Sequence, residues 1–170
     1  MAQETNDQSA PNDGRTNVER QSDVEVVVTR WFDVPAHILF DAWSRPELFS
    51  QWWIPASFGM TLMSCEMDVR VGGGYRLEIG HPASDQPMAF FGTYIEVVPN
   101  QRIAWTNEES DEGAVTTVTF EERDGTTTVV VHNLYPTKDA LDREIDSGAT
   151  GGMSETLDQL GELVVTLMTP

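Results

Sequence analysis

Apolar and polar positions follow two periods along this chain, and the change falls near Pro136. Beyond it, apolar residues recur at Leu141, Ile145, Ala149, Met153, Leu157, Leu160, Val164 and Leu167. Those steps are the period of one stripe on a helix. Asp139, Asp142, Glu144, Asp146, Glu155, Asp158 and Glu162 lie between them, so the opposite face is strongly acidic. The spacing predicts one long helix from Thr137 to Leu167, with the Thr137 hydroxyl as its N-cap. Gly148, Gly151 and Gly152 interrupt it, each at a cost of about 1 kcal/mol against alanine. They mark a kink, or a place where another group approaches the backbone closely. A stripe this long must lie on a large apolar surface.

The chain ahead of it supplies that surface. Val24 to Phe32 is β-branched and apolar, a first strand. Asp33 and Pro35 open a short helix, Pro35 to Trp43, with Ile38, Leu39 and Ala42 on one side. Ser44 and Glu47 have capping-box spacing for a second short helix from Pro46 to Trp53, which Pro55 ends. From Met60 the period becomes two. Met60–Met67, Tyr75–Ile79, Met88–Val98, Arg102–Asn107, Ala114–Glu122 and Thr126–Leu134 read as strands. Gly72-Gly73-Gly74, Pro99-Asn100 and Asp124-Gly125 are tight turns between them, the last a type I′ hairpin signal. Strands joined so closely are antiparallel. The expected class is α+β: a curved seven-stranded antiparallel sheet, two short helices after its first strand, and a long helix on one face.

Residues 1–23 are rich in Gln, Asn, Asp and Ser and have almost no large apolar side chain. Such a segment cannot offset its ordering entropy and reads as a disordered acidic tail, with the domain at 24–170. Composition then narrows the function. The chain has 28 acidic residues against 10 Lys and Arg, a net charge of -18. That balance argues against nucleic-acid backbones and anionic membrane surfaces as partners. No apolar run approaches the roughly 18 residues of a membrane span. The single cysteine, Cys65, allows no internal disulfide and fits a reducing, cytoplasmic setting.

Reactive constellations are few. His37, His81 and His132 lie on different elements, and none has a Cys, Asp or Glu at metal-ligand spacing. No metal or cofactor is expected. Cys65 has no resolving partner and reads as a small buried hydrophobe. Ser147 and Ser154 lack a nucleophile-elbow context. The triple glycine precedes a strand and not a helix, so it reads as a turn, braced by an Asp68–Arg70 ion pair. For an enzyme of cyclase or hydrolase type, the polar strand residues to nominate are Glu66, Arg76 and His132. What remains is an aromatic and methionine-rich interior. A curved sheet and one helix cannot close tightly at both ends, which favours an internal apolar cavity.

Several runs resemble a known family. They are Arg30-Trp31-Phe32-Asp33-Val34-Pro35, Ile38-Leu39-Phe40-Asp41-Ala42-Trp43, Pro46-Glu47-Leu48 and Trp52-Trp53-Ile54-Pro55. Further runs are Glu66 to Gly73, Gly92-Thr93-Tyr94-Ile95-Glu96, Ser147-Gly148 with Gly151-Gly152-Met153, and Asp158 to Leu163. Together they resemble the START-related helix-grip superfamily, and within it the family similar to the C-terminal domain of the activator of heat-shock protein 90 ATPase. The resemblance implies the fold of the birch-pollen allergen, a sheet wrapped around a C-terminal helix with a cavity between. Many relatives carry Gly-Trp where this chain has Gly152-Met153, which implies a differently shaped cavity.

The expected function is binding of a small apolar or aromatic molecule, a lipid or similar hydrophobic ligand, without a catalytic residue. The expected lining is Trp53, Phe58, Met67, Phe91, Trp105, Phe120, Met153 and Leu157. An enzyme of cyclase or hydrolase type and a module acting on a chaperone are the alternatives.

Overall fold

The structure, a computed structural model, describes residues 16–168, with the backbone alone at 149–151. Its elements in chain order are β1 (Asn17–Arg20), β2 (Glu25–Phe32), α1 (Ala36–Ser44), α2 (Pro46–Phe49) and a 3-10 turn (Ala56–Phe58). Then come β3 (Thr61–Met67), β4 (Gly74–Gly80), β5 (Met88–Val98), β6 (Arg102–Thr106), β7 (Val115–Arg123) and β8 (Thr126–Leu134). Helices α3 (Lys138–Asp146) and α4 (Ala149–Met168) end the chain.

The strands form one antiparallel sheet in the order β1-β2-β8-β7-β6-β5-β4-β3. Side chains alternate across it, as a period of two requires. Val26, Val28, Phe32, Ile103, Trp105, Val118, Phe120, Val129 and Val131 point to one buried face. Against that face lie Leu157, Leu160 and Val164 of α4 and Leu141 of α3. Register shifts at Leu62/Ser64 and Tyr94/Glu96 bend the strands that carry them, which helps curve the sheet around the helix. This is the α+β helix-grip arrangement, with eight strands where the sequence indicates seven.

The extra strand is β1. It pairs with β2 from Asn17↔Thr29 to Arg20↔Val26, inside the segment read as a tail. All four of its side chains are exposed, so no apolar pattern announces it. Backbone pairing and an Arg20–Asp142 ion pair of 2.8 Å attach it to the domain. The rest of the expected tail, residues 1–15, lies outside the described residues.

The C-terminal stripe is two helices. Thr137 caps α3 as expected, its hydroxyl accepting from the Ala140 amide at 3.0 Å. The chain then turns at Gly148, whose φ of 87° lies in the left-handed region that closes a helix C-terminus. Ile145, on the far side of that break from α4, is consequently exposed. A Cβ at Gly148 would meet nothing within 4 Å, so Gly148→Ala has only the backbone conformation against it. We expect a loss of about 1 kcal/mol, or roughly 2–4 °C in the thermal midpoint. An unchanged midpoint in calorimetry would show that the break does not need a left-handed residue.

The predicted capping box does not form. Helix α1 runs through Ser44, whose hydroxyl donates to the Phe40 carbonyl of its own helix at 2.7 Å. Arg45 takes the N-cap position of α2, and Glu47 accepts from its guanidinium at 3.0 Å. Helix α2 stops at Phe49, short of Trp53.

Helix α4 is held to its surroundings by polar clips at two places. On one side Arg30, buried at an inward position of β2, donates to Asp158 at 2.6 Å and to Thr16 at 3.1 Å. Its guanidinium also stacks over the Phe32 ring. On the other side the Gln159 amide donates to the carbonyls of Trp52 and Ile54, and its oxygen accepts from the Ala56 amide. Glu155 accepts from the Ser57 amide at 2.9 Å and from its hydroxyl. These bonds pin the loop 53–58 beside the first turns of α4. No helix among the described residues is long and apolar enough to cross a membrane.

Candidate functional site

A cavity of about 480 Å³ lies between the inner face of the sheet and the start of α4. That volume is in the range of small-molecule sites. Its wall has two parts of different chemistry.

The apolar part is built by the loop after α2 and by β3 to β6. Trp52 is fully buried, its indole donating to the Ala42 carbonyl at 3.0 Å, and it anchors the neighbouring Trp53. Trp53 stacks on Phe49 at a centroid distance of 4.7 Å and faces the cavity with Ile54, Phe58 and Met60. Phe58 rests on Gly152 of α4, where a Cβ would come within 3.1 Å of the ring. Met67, Leu77, Phe90, Tyr94 and Trp105 continue the wall along the strands, and Met153 closes it from α4.

The polar part is a chain of hydrogen bonds across four strands, β4, β6, β7 and β8. The Tyr75 hydroxyl has the Thr106 carbonyl at 2.8 Å and the Asn107 side-chain oxygen at 3.0 Å as acceptors that share its single proton. The Asn107 amide donates to the Ala114 carbonyl and to Thr116, whose hydroxyl donates to Asn133 at 2.7 Å. Around this chain stand Glu109 and Glu112 from the turn after β6, and Arg143 and Glu144 from α3. Arg143 is committed to Glu112, with its Nε donating at 3.0 Å. Burial pushes the Glu144 carboxyl above its ordinary range, and the charge of Glu109 adds to the effect. Burial likewise drives the hydroxyls of Tyr75, Tyr94 and Tyr135 upward, so they are neutral donors.

Of the lining residues expected from the sequence, Trp53, Phe58, Met67, Trp105 and Met153 meet at this cavity. Three do not. Phe91 pairs with Arg76 on the opposite face of the sheet, where the guanidinium covers its ring at 5.7 Å. Its neighbour Phe90 holds the inward position. Phe120 packs edge-on against Phe40 and Trp43 beneath α1. Leu157 is fully enclosed between helix and sheet.

The nominated polar strand residues fare no better. Glu66 and Arg76 are exposed, and His132 lies 2.9 Å from Glu25 at the β2–β8 pair. None of the three lines the cavity. Cys65 is half-buried, its thiol pushed up to about 11 by burial, which leaves it inert. Asp68 and Arg70 form the expected pair at 2.9 Å. Among the described residues, no group of three His, Cys, Asp or Glu could hold a metal.

Strand parity alone overlooks the polar part. Asn107 lies two residues after Trp105, and Thr116 and Asn133 join it only through the pairings Trp105↔Thr116 and Thr116↔Asn133. Glu109 and Glu144 come from a turn and a helix, and only the closed fold brings them together.

The chain is similar to several solved bacterial structures. A protein of Rhodobacter sphaeroides superposes with a TM-score of 0.81 at 20% identity, over 90% of this chain and 99% of that one. A Staphylococcus epidermidis protein solved by NMR gives 0.75 at 27% identity, over 91% and 96%. One from Chromobacterium violaceum gives 0.70 at 27% identity, over 82% and 96%. Among curated proteins nothing matches the chain. The sequence profile described as Activator of Hsp90 ATPase homolog 1-like protein matches residues 33–165. That match spans well over half of the chain, from α1 into α4, so the chain belongs to this family.

Proposed function

We propose that this domain binds a small apolar or aromatic molecule in the cavity between sheet and α4. The observation that carries the reading is the cavity itself: about 480 Å³ of space, one part of whose wall is aromatic and methionine-rich. Trp53, Phe58, Met67, Trp105 and Met153 are the contacts we assign to the ligand. Flat rings against indole and phenyl groups bury much area for little lost flexibility. Met67 and Met153 adapt to an irregular outline. The lone Cys65 fits a cytoplasmic setting.

The test is a two-dimensional NMR titration of the full chain with a panel of lipids, flavonoids and polyketides. Shifts should concentrate at the Trp53 and Trp105 indoles and the Met153 methyl. A panel that moves none of these overturns the reading.

Family membership favours a second reading, action on a chaperone. Against it, the exposed residues of α3 and of α4 as far as Glu162 are mostly acidic, although Val165 and Met168 are exposed beyond them. Stimulation of a chaperone's ATP hydrolysis by the purified domain is the direct assay, and we expect a flat response.

A further inference from the structure

The hydrogen-bonded chain in the cavity wall has a direction, and one backbone carbonyl fixes it. Asn107 gives its two amide protons to the Ala114 carbonyl at 2.6 Å and to the Thr116 hydroxyl at 3.1 Å. A carbonyl only accepts, so the Asn107 nitrogen faces Ala114 and its oxygen faces Tyr75. Thr116 is 6% exposed and accepts from Asn107. Its own proton therefore goes to the Asn133 side-chain oxygen at 2.7 Å. Turning the Asn133 amide over would leave that buried proton without an acceptor among the described residues, which is costly.

The chain of bonds thus ends on a donor. Asn133 follows the buried Val131 by two residues on β8, so it shares the inward face, and its side chain borders the cavity. Its oxygen is held by Thr116, which leaves the amide nitrogen over. Among the described residues that nitrogen has no hydrogen-bond partner. It stands where the two chemistries of the wall meet. The next inward pair along the same two strands is Val118↔Val131, which also borders the cavity. Across the strands, the row that holds Asn133 continues through Thr116 to Trp105.

We propose that Asn133 is the residue that selects the bound molecule, and that it selects an uncharged hydrogen-bond acceptor: a ketone, ester or amide carbonyl on a flat apolar body. This rests on the cavity reading above. Two strand spacings, about 10 Å, separate Trp105 from Asn133 in their row. A two-ring body lies against the Trp105 indole, and its carbonyl oxygen meets the Asn133 amide. A carbonyl has lone pairs and no proton of its own to place, which matches a group that only donates. A carboxylate would accept as well. Among the described residues, however, the wall carries Glu109, Glu112 and Glu144 against one cation, Arg143, which is already bonded to Glu112. A hydrocarbon of the same shape would leave the amide protons unmet.

The test compares 2-acetylnaphthalene with 2-isopropenylnaphthalene, which has the same shape and a methylene group in place of the oxygen. Each is titrated into the full chain and followed by NMR. The alkene is the more hydrophobic of the two, so the quantity to follow is the ratio of ketone to alkene affinity, in the wild type and in variants. Asn133→Leu keeps the size of the side chain and removes the donor. The ratio should fall there by about three- to tenfold, the worth of one neutral hydrogen bond. Asn133→Asp keeps the oxygen that faces Thr116 and turns an acceptor toward the cavity, so the ratio should fall at least as far. That variant decides the matter if Asn133→Leu does not fold. In the wild type, the Asn133 side-chain amide protons should lie further downfield with the ketone bound than with the alkene bound. If the ratio is the same in the variants, and the Asn133 signals do not distinguish the probes, the proposal is overturned while the cavity reading stands. If neither probe binds, both fall.

Discussion

Leu157→Ala should destabilise the protein by about 2–5 kcal/mol, the range for deleting an enclosed leucine side chain from a core. Leu157 has no exposed surface and lies in the middle of α4, in one cluster with Leu160, Val164, Leu39 and Val28. The sheet wraps this part of the helix on its inner side, and the middle of α4, right beside Leu157, is fixed by the Arg30–Asp158 and Gln159–Ile54 contacts. The helix therefore cannot sink to fill the space. The lost methyl groups leave a void with few ways to collapse, and such sites lie at the costly end of the range. Chemical denaturation would show the loss as a lower midpoint with an unchanged slope. A cost below about 0.5 kcal/mol, ordinary for a surface change, would mean that the stripe is not buried against the sheet. Leu157 also does not touch the cavity, so remaining folded protein should still take up a neutral naphthyl probe.

The period-two strands are legible from sequence to within about a residue at each end, because burial alternates along β2, β7 and most of β8, so that each inward residue there identifies its neighbours. Val118 and Phe120 are inward, Thr117 and Thr119 are not. The same alternation exposes one slip. Phe90 and Phe91 look alike in a sequence, and only the pairing Arg76↔Phe91 shows which of them faces away. A shift of one residue exchanges the two faces completely. The break at Gly148 is visible as a glycine, yet a stripe with steps of three and four continues through it, so periodicity favours one helix. Strand β1 is illegible for a different reason. Its binding to the sheet is backbone pairing, which Asn17-Val18-Glu19-Arg20 would make with any side chains.

The cavity was legible only by half. Its apolar wall follows from counting aromatics and methionines on strands that must face a helix. Its polar wall does not, because Asn107, Thr116 and Asn133 are each unremarkable polar residues in their own strands. They become a chain of donors and acceptors through register alone, and the carboxylates of Glu109 and Glu144 stand around them from a turn and from α3. Sequence patterns report what each element does to its own two faces. They carry little about residues that meet where elements end, and a ligand site between a sheet and a helix is made of such residues.

Met153→Trp should leave stability nearly unchanged and weaken uptake of a neutral naphthyl probe by about tenfold or more. Met153 is half-buried at the first full turn of α4 and borders the cavity, with Gly152 and the Phe58 ring beside it. An added ring in a filled core costs about 1–3 kcal/mol through strain. Here the indole has about 480 Å³ of space before it, and the Phe58 ring, which rests on the adjacent Gly152, is a neighbour that would have to give. The thermal midpoint should therefore move by no more than about 2–4 °C, the equivalent of 1 kcal/mol in a domain of this size. The same indole would occupy the volume between Trp53 and Trp105 that a naphthyl body needs. A variant that unfolds readily would show Met153 to be tightly packed core. A stable variant that binds the probe with unchanged affinity would place the bound molecule away from α4, against the strand wall of Tyr75, Phe90 and Trp105.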